Sequence, residues 1–214
     1  MKDKKKNIAI GILGIQGDIE ENIAATIDAL RAMKINGDVY PVRYPEEIEQ
    51  VDGLILPGGE STVISTLITI QGTMFQLIKR HISEGLPVMG ACAGMILLSR
   101  RAYDKSVGET KQQLMGNLEI IVERNAFGRQ SESFETDLEI PIIGKQKFRG
   151  IFIRAPVVTE VTGEQTQVIA TFNNKIVAVK QNNILCTSFH PELSGDNRLH
   201  REFIKTVIEF KHNH

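Results

Sequence analysis

A chain of 214 residues with 25 Lys+Arg against 26 Asp+Glu carries a formal net charge of −1, which excludes the broad electrostatic pull on nucleic acid or an anionic membrane surface that a basic protein exerts. Its length suits one large α/β domain, residues 1–214, and no Pro/Ser/Gly-rich stretch divides it, so the expected ligand is a small molecule. Two cysteines are too few for a disulfide scaffold in a chain of this size, and the expected compartment is the reducing cytoplasm.

The first elements follow directly from apolar spacing. Lys2 to Lys6 ahead of apolar Ile8 to Ile15 imitates the start of a signal peptide. The run passes into Gln16-Gly17-Asp18 with no small-X-small cleavage pattern, however, and fits a buried first strand, Ile8–Leu13, behind a basic and flexible lead of residues 1–6. No run is long enough to cross a bilayer. Ile19–Met33 has helical spacing, with Asp18 and Glu21 placed as N-cap and reciprocal partner. Strands are expected at Val39–Val42, Leu54–Leu56 and Leu86–Met89, and helices at Met74–Ser83 and Ala93–Arg101. The second half is richer in strands: Leu118–Val122, Gly150–Ile153, Val168–Phe172, Ile176–Lys180 and Ile184–Thr187, closed by a helix from Arg198 to about Lys211. Asn173-Asn174 reads as a hairpin turn. This alternation implies a mostly parallel sheet with helices on both faces, and ligands of such sheets bind beyond the carboxyl ends of the strands. The loops Gly14–Asp18, Pro57–Thr62, Gly90–Gly94 and His190–Glu192 all follow strands and are expected on one rim.

Three of these loops carry chemistry. Gly90-Ala91-Cys92-Ala93-Gly94 breaks an apolar strand immediately before a helical run, which is the cysteine form of a nucleophile elbow. Flanking glycines permit the tight turn, and the helix N-terminus behind it favours thiolate. A thiolate nucleophile needs a proton shuttle, and His190 with Glu192 supplies a histidine and a carboxylate after another apolar strand. Pro57-Gly58-Gly59-Glu60 offers main-chain N–H groups without side-chain obstruction, so the N–H groups of Gly59 and Ala93 are the expected oxyanion hole. Each feature has a plainer reading by itself: a core cysteine, a structural histidine, a surface carboxylate, an ordinary turn. Their joint presence favours the triad. Cys186, inside an apolar strand without flanking glycines, is expected in the core. The remaining histidines lack ligand spacing, and no Walker A or Gly-X-Gly-X-X-Gly sequence is present, so neither metal nor nucleotide cofactor is expected.

These residues resemble the class I, triad-type glutamine amidotransferases of flavodoxin-like fold. The narrower resemblance is to the glutaminase subunits of pyridoxal 5′-phosphate synthase. It is carried in order by Leu13-Gly14-Ile15-Gln16-Gly17-Asp18, Pro57 to Thr62, Cys92-Ala93-Gly94, the stretch Glu123 to Glu135, Phe152 to Pro156 and Phe189 to Leu193. Ala91 and Ser194 stand where the family usually has Thr, and neither change removes a reacting group. The resemblance implies hydrolysis of L-glutamine to glutamate and ammonia, with ammonia passed to a separate synthase subunit in a hetero-oligomer, and it places the chain under both hydrolase and lyase headings. It implies that Gly59, Glu60, Ser61, Arg124, Ile153 and Arg154 bind glutamine; which arginine grips the α-carboxylate stays open. Gln16 is expected near the partner contact, and the Gly58-Gly59 loop is expected to become ordered on docking. Alternatives are the glutaminase subunit of another amidotransferase such as imidazole glycerol phosphate synthase, a peptidase or deglycase with a related elbow, or a non-catalytic regulatory subunit of the same fold.

Overall fold

The computed structural model describes residues 7–127 and 133–213. The basic lead and the segment 128–132, part of the stretch that carries the narrower resemblance, lie outside them. In chain order the elements are β1 (Ile8–Leu13), α1 (Ile19–Met33), β2 (Gly37–Val42), β3 (Gly53–Leu56), α2 (Ser61–Ile70), α3 (Met74–Ser83), β4 (Val88–Ala91), α4 (Ala93–Leu98), β5 (Ser99–Asp104), β6 (Gly108–Glu109) and β7 (Leu118–Arg124). They continue with β8 (Ser133–Leu138), β9 (Phe148–Ile153), β10 (Val157–Val161), β11 (Thr166–Phe172), β12 (Lys175–Gln181), β13 (Ile184–Thr187) and α5 (Arg198–Asn213).

The sheet runs β2-β1-β3-β4-β13-β12-β10-β7-β5-β6, with β11 beside β12. Its first five strands are parallel, and the strands that extend it pair antiparallel except for β7 and β5, which run parallel. Period-two alternation sends side chains to opposite faces. Leu54, Leu56 and Val88 pack with Ile64, Ile68, Met74 and Ile78 of α2 and α3, while Ile10, Ile55 and Met89 pack with Leu30 of α1 and Phe203 and Val207 of α5. The expected α/β class with helices on both faces is therefore realised. On the α1/α5 face the β8–β9 hairpin is fastened by aromatic rings, Phe134 stacking on Phe152 at 4.6 Å and Phe152 meeting Phe189 at 5.5 Å.

Several boundaries differ from the sequence reading. The helix after Cys92 ends at Leu98 rather than Arg101, because Ser99–Asp104 leaves it to pair with β7. The strand read at Leu86–Met89 is shifted to Val88–Ala91. α2 was not anticipated, since Ser61–Ile70 is rich in β-branched residues of weak helix propensity. Packing of Ile64 and Ile68 and the carboxylate of Glu60, which accepts from the N–H groups of Thr62 and Val63 at 3.2 and 2.8 Å, stabilise it instead. β8 and β10 were also missed, β8 because its outward positions are mostly exposed and polar. Asp18 does precede α1, yet its side chain makes no cap hydrogen bond, so the capping box with Glu21 is not formed. Asn173-Asn174 turns β11 into β12 with φ of 48° and 60°, as a type I′ turn demands. Among the described residues no single helix is long and apolar enough to cross a membrane; α2 and α3 pass such a test only as a pair bent by 105°.

His200 of α5 is fully buried, and neither ring nitrogen has a hydrogen-bond partner among the described residues. Burial alone lowers its pKa to about 4. The unfolded chain therefore binds this proton between about pH 6.5 and pH 4 while the folded chain does not, so its contribution to stability is complete above that window and is lost as pH falls through it. His200→Leu should remove about 3 kcal/mol of acid destabilisation at pH 4; urea unfolding at pH 7 and pH 4.5 checks this through a smaller pH dependence in the variant. Gly94→Ala should destabilise by roughly 1–3 kcal/mol, because its Cβ would stand 2.2 Å from the Leu56 carbonyl oxygen, and a lower urea midpoint is the expected reading.

Candidate active site

Cys92 and His190 come from the ends of two neighbouring parallel strands. β13 lies beside β4 in the register Thr187↔Ala91, and the Cys92 N–H donates to the Thr187 carbonyl at 2.8 Å. Cys92 adopts φ 48°, ψ −98°, a conformation a side-chain-bearing residue holds only under constraint from its surroundings. The constraint is visible. Gly94 sits against the backbone of β3, and Gly90 leaves room for the sulfur of Cys186, which a Cβ at 90 would approach to 3.0 Å. Ala93 is the first residue of α4, so its N–H has no acceptor within its own helix.

His190 is held by its main chain as well, its N–H donating to the Ile151 carbonyl of β9 at 2.8 Å. Its ring packs over Gly58, where a Cβ would lie 2.3 Å from Cε1. Nδ1 stands 2.8 Å from Glu192 Oε1 and 3.0 Å from Asp18 Oδ2. With that edge taken by carboxylates, Nε2 is the ring nitrogen left for Cys92, which lines the same cavity. Burial opposes the imidazolium, but hydrogen bonds to Asp18, Cys92 and Glu192 outweigh it and push the His190 pKa well above the ordinary histidine range. Glu192 shifts upward because burial outweighs its bond to His190, whereas Asp18 shifts downward, chiefly through that bond.

Asp18, His190 and Glu192 are also the one cluster of metal-ligand type among the described residues, their ligand atoms lying within 4.8 Å of one another. Both carboxylates address the same ring nitrogen at hydrogen-bond distance, where zinc would require about 2 Å and removal of the ring proton. The arrangement is one of shared protons.

These groups open into a cavity of about 360 Å³ lined by Asp18, Gly59, Glu60, Ser61, Cys92, Ile96, Arg124, Asn125, Ile153, Arg154 and His190. The sequence reading thus brings nearly all of its site residues to one place. Of its residues Glu192 lies behind the histidine, Ala93 is buried beneath the elbow, and Gln16 stands beside the glycine loop. Asn125 and Arg154 share with Cys92 a positive φ, 50° and 44°, so three rim positions hold unusual backbone. Arg124 donates to Glu60 Oε1 at 2.9 Å and to Thr62 Oγ1 at 3.2 Å, which fixes the plane of its guanidinium. Ser61 is nearly sealed, its hydroxyl donating to Gln112 Oε1. Cys92 Sγ lies 3.9 Å from the Ile153 carbonyl oxygen at the end of β9.

The glycine loop is pinned from the side of β1. The Gly58 carbonyl accepts from the Asp18 N–H at 3.2 Å, and Gln16 Oε1 accepts from the Glu60 N–H at 2.9 Å. In a trans peptide C=O and N–H point opposite ways, so the Gly59 N–H faces away from the Asp18 amide. Asp18, Ile96, Asn125 and Gln112 are the neighbours the sequence reading did not assign to the site. The position of Asp18 after β1 was its available signal, and its helix-start reading displaced it.

The SNO glutamine amidotransferase family model matches residues 12–209. The chain is 46% identical over 202 residues to the pyridoxal 5′-phosphate synthase subunit PdxT of Nitrosopumilus maritimus, covering 94% of this chain and 98% of that protein. It is 48% identical over 198 residues to the subunit of the same name from Thermotoga petrophila, covering 92% and 98%. A solved structure described as a glutamine amidotransferase superposes with a TM-score of 0.79 at 40% identity, covering 92% of this chain and 98% of that one. The lyase heading expected beside hydrolase is corrected by these matches, since the matching family is one of amidotransferases and the relatives are individual subunits of a synthase. By the extent of the family match and of these relatives, the chain belongs to the SNO glutamine amidotransferase family.

Proposed function

We propose that this chain, as one glutaminase domain, hydrolyses L-glutamine to L-glutamate and ammonia and delivers the ammonia to the synthase subunit of a pyridoxal 5′-phosphate synthase. The observation that carries the reading is a set of three groups: Cys92 on a strained elbow, His190 lining the same cavity, and Glu192 2.8 Å from ring Nδ1. Within that reading, His190 takes the proton of Cys92 and the thiolate attacks the side-chain amide carbon. The tetrahedral oxyanion is held by the N–H groups of Gly59 and Ala93, and the imidazolium returns its proton to the departing nitrogen. Water activated by His190 then cleaves the glutamyl thioester, releasing glutamate and restoring the thiol. The chemistry uses no cofactor.

For substrate binding, the fork of Arg124, oriented by Glu60 and Thr62, and Arg154 are the cations available to the α-carboxylate, while Glu60 is a carboxylate for the α-ammonium. Gly59, Ser61 and Ile153 complete the walls. Free ammonia is mostly protonated at neutral pH, which favours a docked acceptor over release to solvent. Gln16 is read as lying near that contact, because its amide oxygen holds the Glu60 N–H and a partner touching it acts directly on the glycine loop. A reactive thiolate suits a reducing cytoplasm.

Cys92→Ser should abolish glutamate release with the synthase subunit present, whereas Cys186→Ser, at a fully buried position whose thiol is pushed upward by burial, should keep most of it. Equal loss in both variants would remove Cys92 from its role. The free chain should turn over on the order of 10²-fold or more slowly than the complex at saturating glutamine, the amount that one misplaced oxyanion donor costs. Equal rates with and without the partner would rule out activation by docking.

A further inference from the structure

We propose that Asp18 is a second positioning residue for His190, its carboxylate sharing ring Nδ1 with Glu192 while its main chain ties the same ring to the Gly58–Gly59 peptide. The proposal rests on the glutaminase reading above and assigns within it a group that the Cys-His-Glu triad does not contain.

The geometry presents one ring N–H to two carboxylates, at 2.8 Å for Glu192 and 3.0 Å for Asp18. The two acceptors are not equivalent. Glu192 is sealed, its Oε2 has no partner among the described residues, and burial makes its charge expensive. Asp18 keeps about a third of its side chain in solvent and is held below the usual carboxylate range chiefly by its bond to the ring. The partly hydrated carboxylate is thus the better counter-charge for the imidazolium that forms during attack, and the sealed one the better mechanical stop for the ring. Asp18 also occupies the position before α1 where a carboxylate ordinarily caps the helix, and its side chain forgoes that bond to face His190.

The charged and titratable groups facing His190 are Asp18 from the loop after β1, Cys92 from the elbow after β4, and Glu192 from its own turn; Glu60, Arg124 and Arg154 line the same cavity. The nearest element of the β8–β9 hairpin contributes the Ile151 carbonyl, which accepts the His190 main-chain N–H. The Asp18 N–H meanwhile holds the Gly58 carbonyl at 3.2 Å, so a single residue orients the base and restrains the oxyanion loop.

The test compares wild type, Asp18→Asn, Glu192→Gln and the double variant, each as full chain. Glutamate release is measured with the synthase subunit present, and ring ¹⁵N resonances follow the titration of His190. Asp18→Asn should lower kcat about tenfold with little change in KM, and His190 should lose its proton at lower pH, by about one unit. The double variant should lose more than the product of the single losses, because each carboxylate covers for the other. An unchanged His190 titration in Asp18→Asn overturns the proposal, including where partner affinity falls, since Asp18 would then act in docking. A double variant no worse than Glu192→Gln overturns it too. Thermal unfolding verifies the fold, and Asp18→Ser, which keeps a small polar residue before α1, serves for the same readings if Asn destabilises. Cys92→Ser in the same assay separates the two levels: if it retains turnover the glutaminase reading falls, and if it is inactive while Asp18→Asn matches wild type, only the role of Asp18 does.

Discussion

The parallel pairing of β4 with β13 is the constraint on which the site depends. The two strands are distant in sequence, yet their register, Thr187 opposite Ala91, sets the elbow and the histidine turn side by side at the same sheet edge. The hydrogen bond from Cys92 N–H to the Thr187 carbonyl spans that pairing and holds Cys92 in a conformation that an isolated peptide would leave. The surrounding helices stabilise the pairing rather than define it. Leu185 and Met89 are buried against one layer, and Cys186 and Val88 against the other. Because both layers close on these two strands, which are buried throughout, the thiol and the ring stand on a rigid, close-packed base.

Loops stack on this base in order, and each close approach depends on a missing side chain. Gly94 rests on β3, Gly58 lies under the His190 ring, and Gly17 meets the Gly58 carbonyl, with distances for an added Cβ of 2.2, 2.3 and 1.8 Å. Glycine at these places is a matter of space as much as of dihedral freedom, since of the three only Gly17 has positive φ. The result is a site whose main chain comes close to the His190 ring and the Cys92 elbow without side chains between them.

Much of this was legible in the sequence because it is local. The elbow, the His-X-Glu pair and the paired glycines each follow an apolar strand, and the rule that ligands gather at strand ends places them together. The parallel half of the sheet followed from the alternation of strands and helices. What escaped was set by tertiary contact. Ser99–Asp104 continues a helical pattern but is taken by β7, and Ser61–Ile70 looks poor as a helix until Glu60 caps it and the sheet covers Ile64 and Ile68. Asp18 shows the same limit at the site. Its spacing to Glu21 reads as a helix start, and only the fold reveals that a ring from the far end of the chain claims its carboxylate.

The two thiols sit one strand apart in very different surroundings. Cys92 faces the cavity, while Cys186 is enclosed in β13, fully buried and with burial holding it protonated. The folded molecule therefore offers a single sulfur to an electrophile in solution, and the unfolded chain offers two. Alkylation stoichiometry becomes an internal gauge of integrity: fully folded protein consumes one equivalent per chain, and any excess counts chains whose β4–β13 seam has opened.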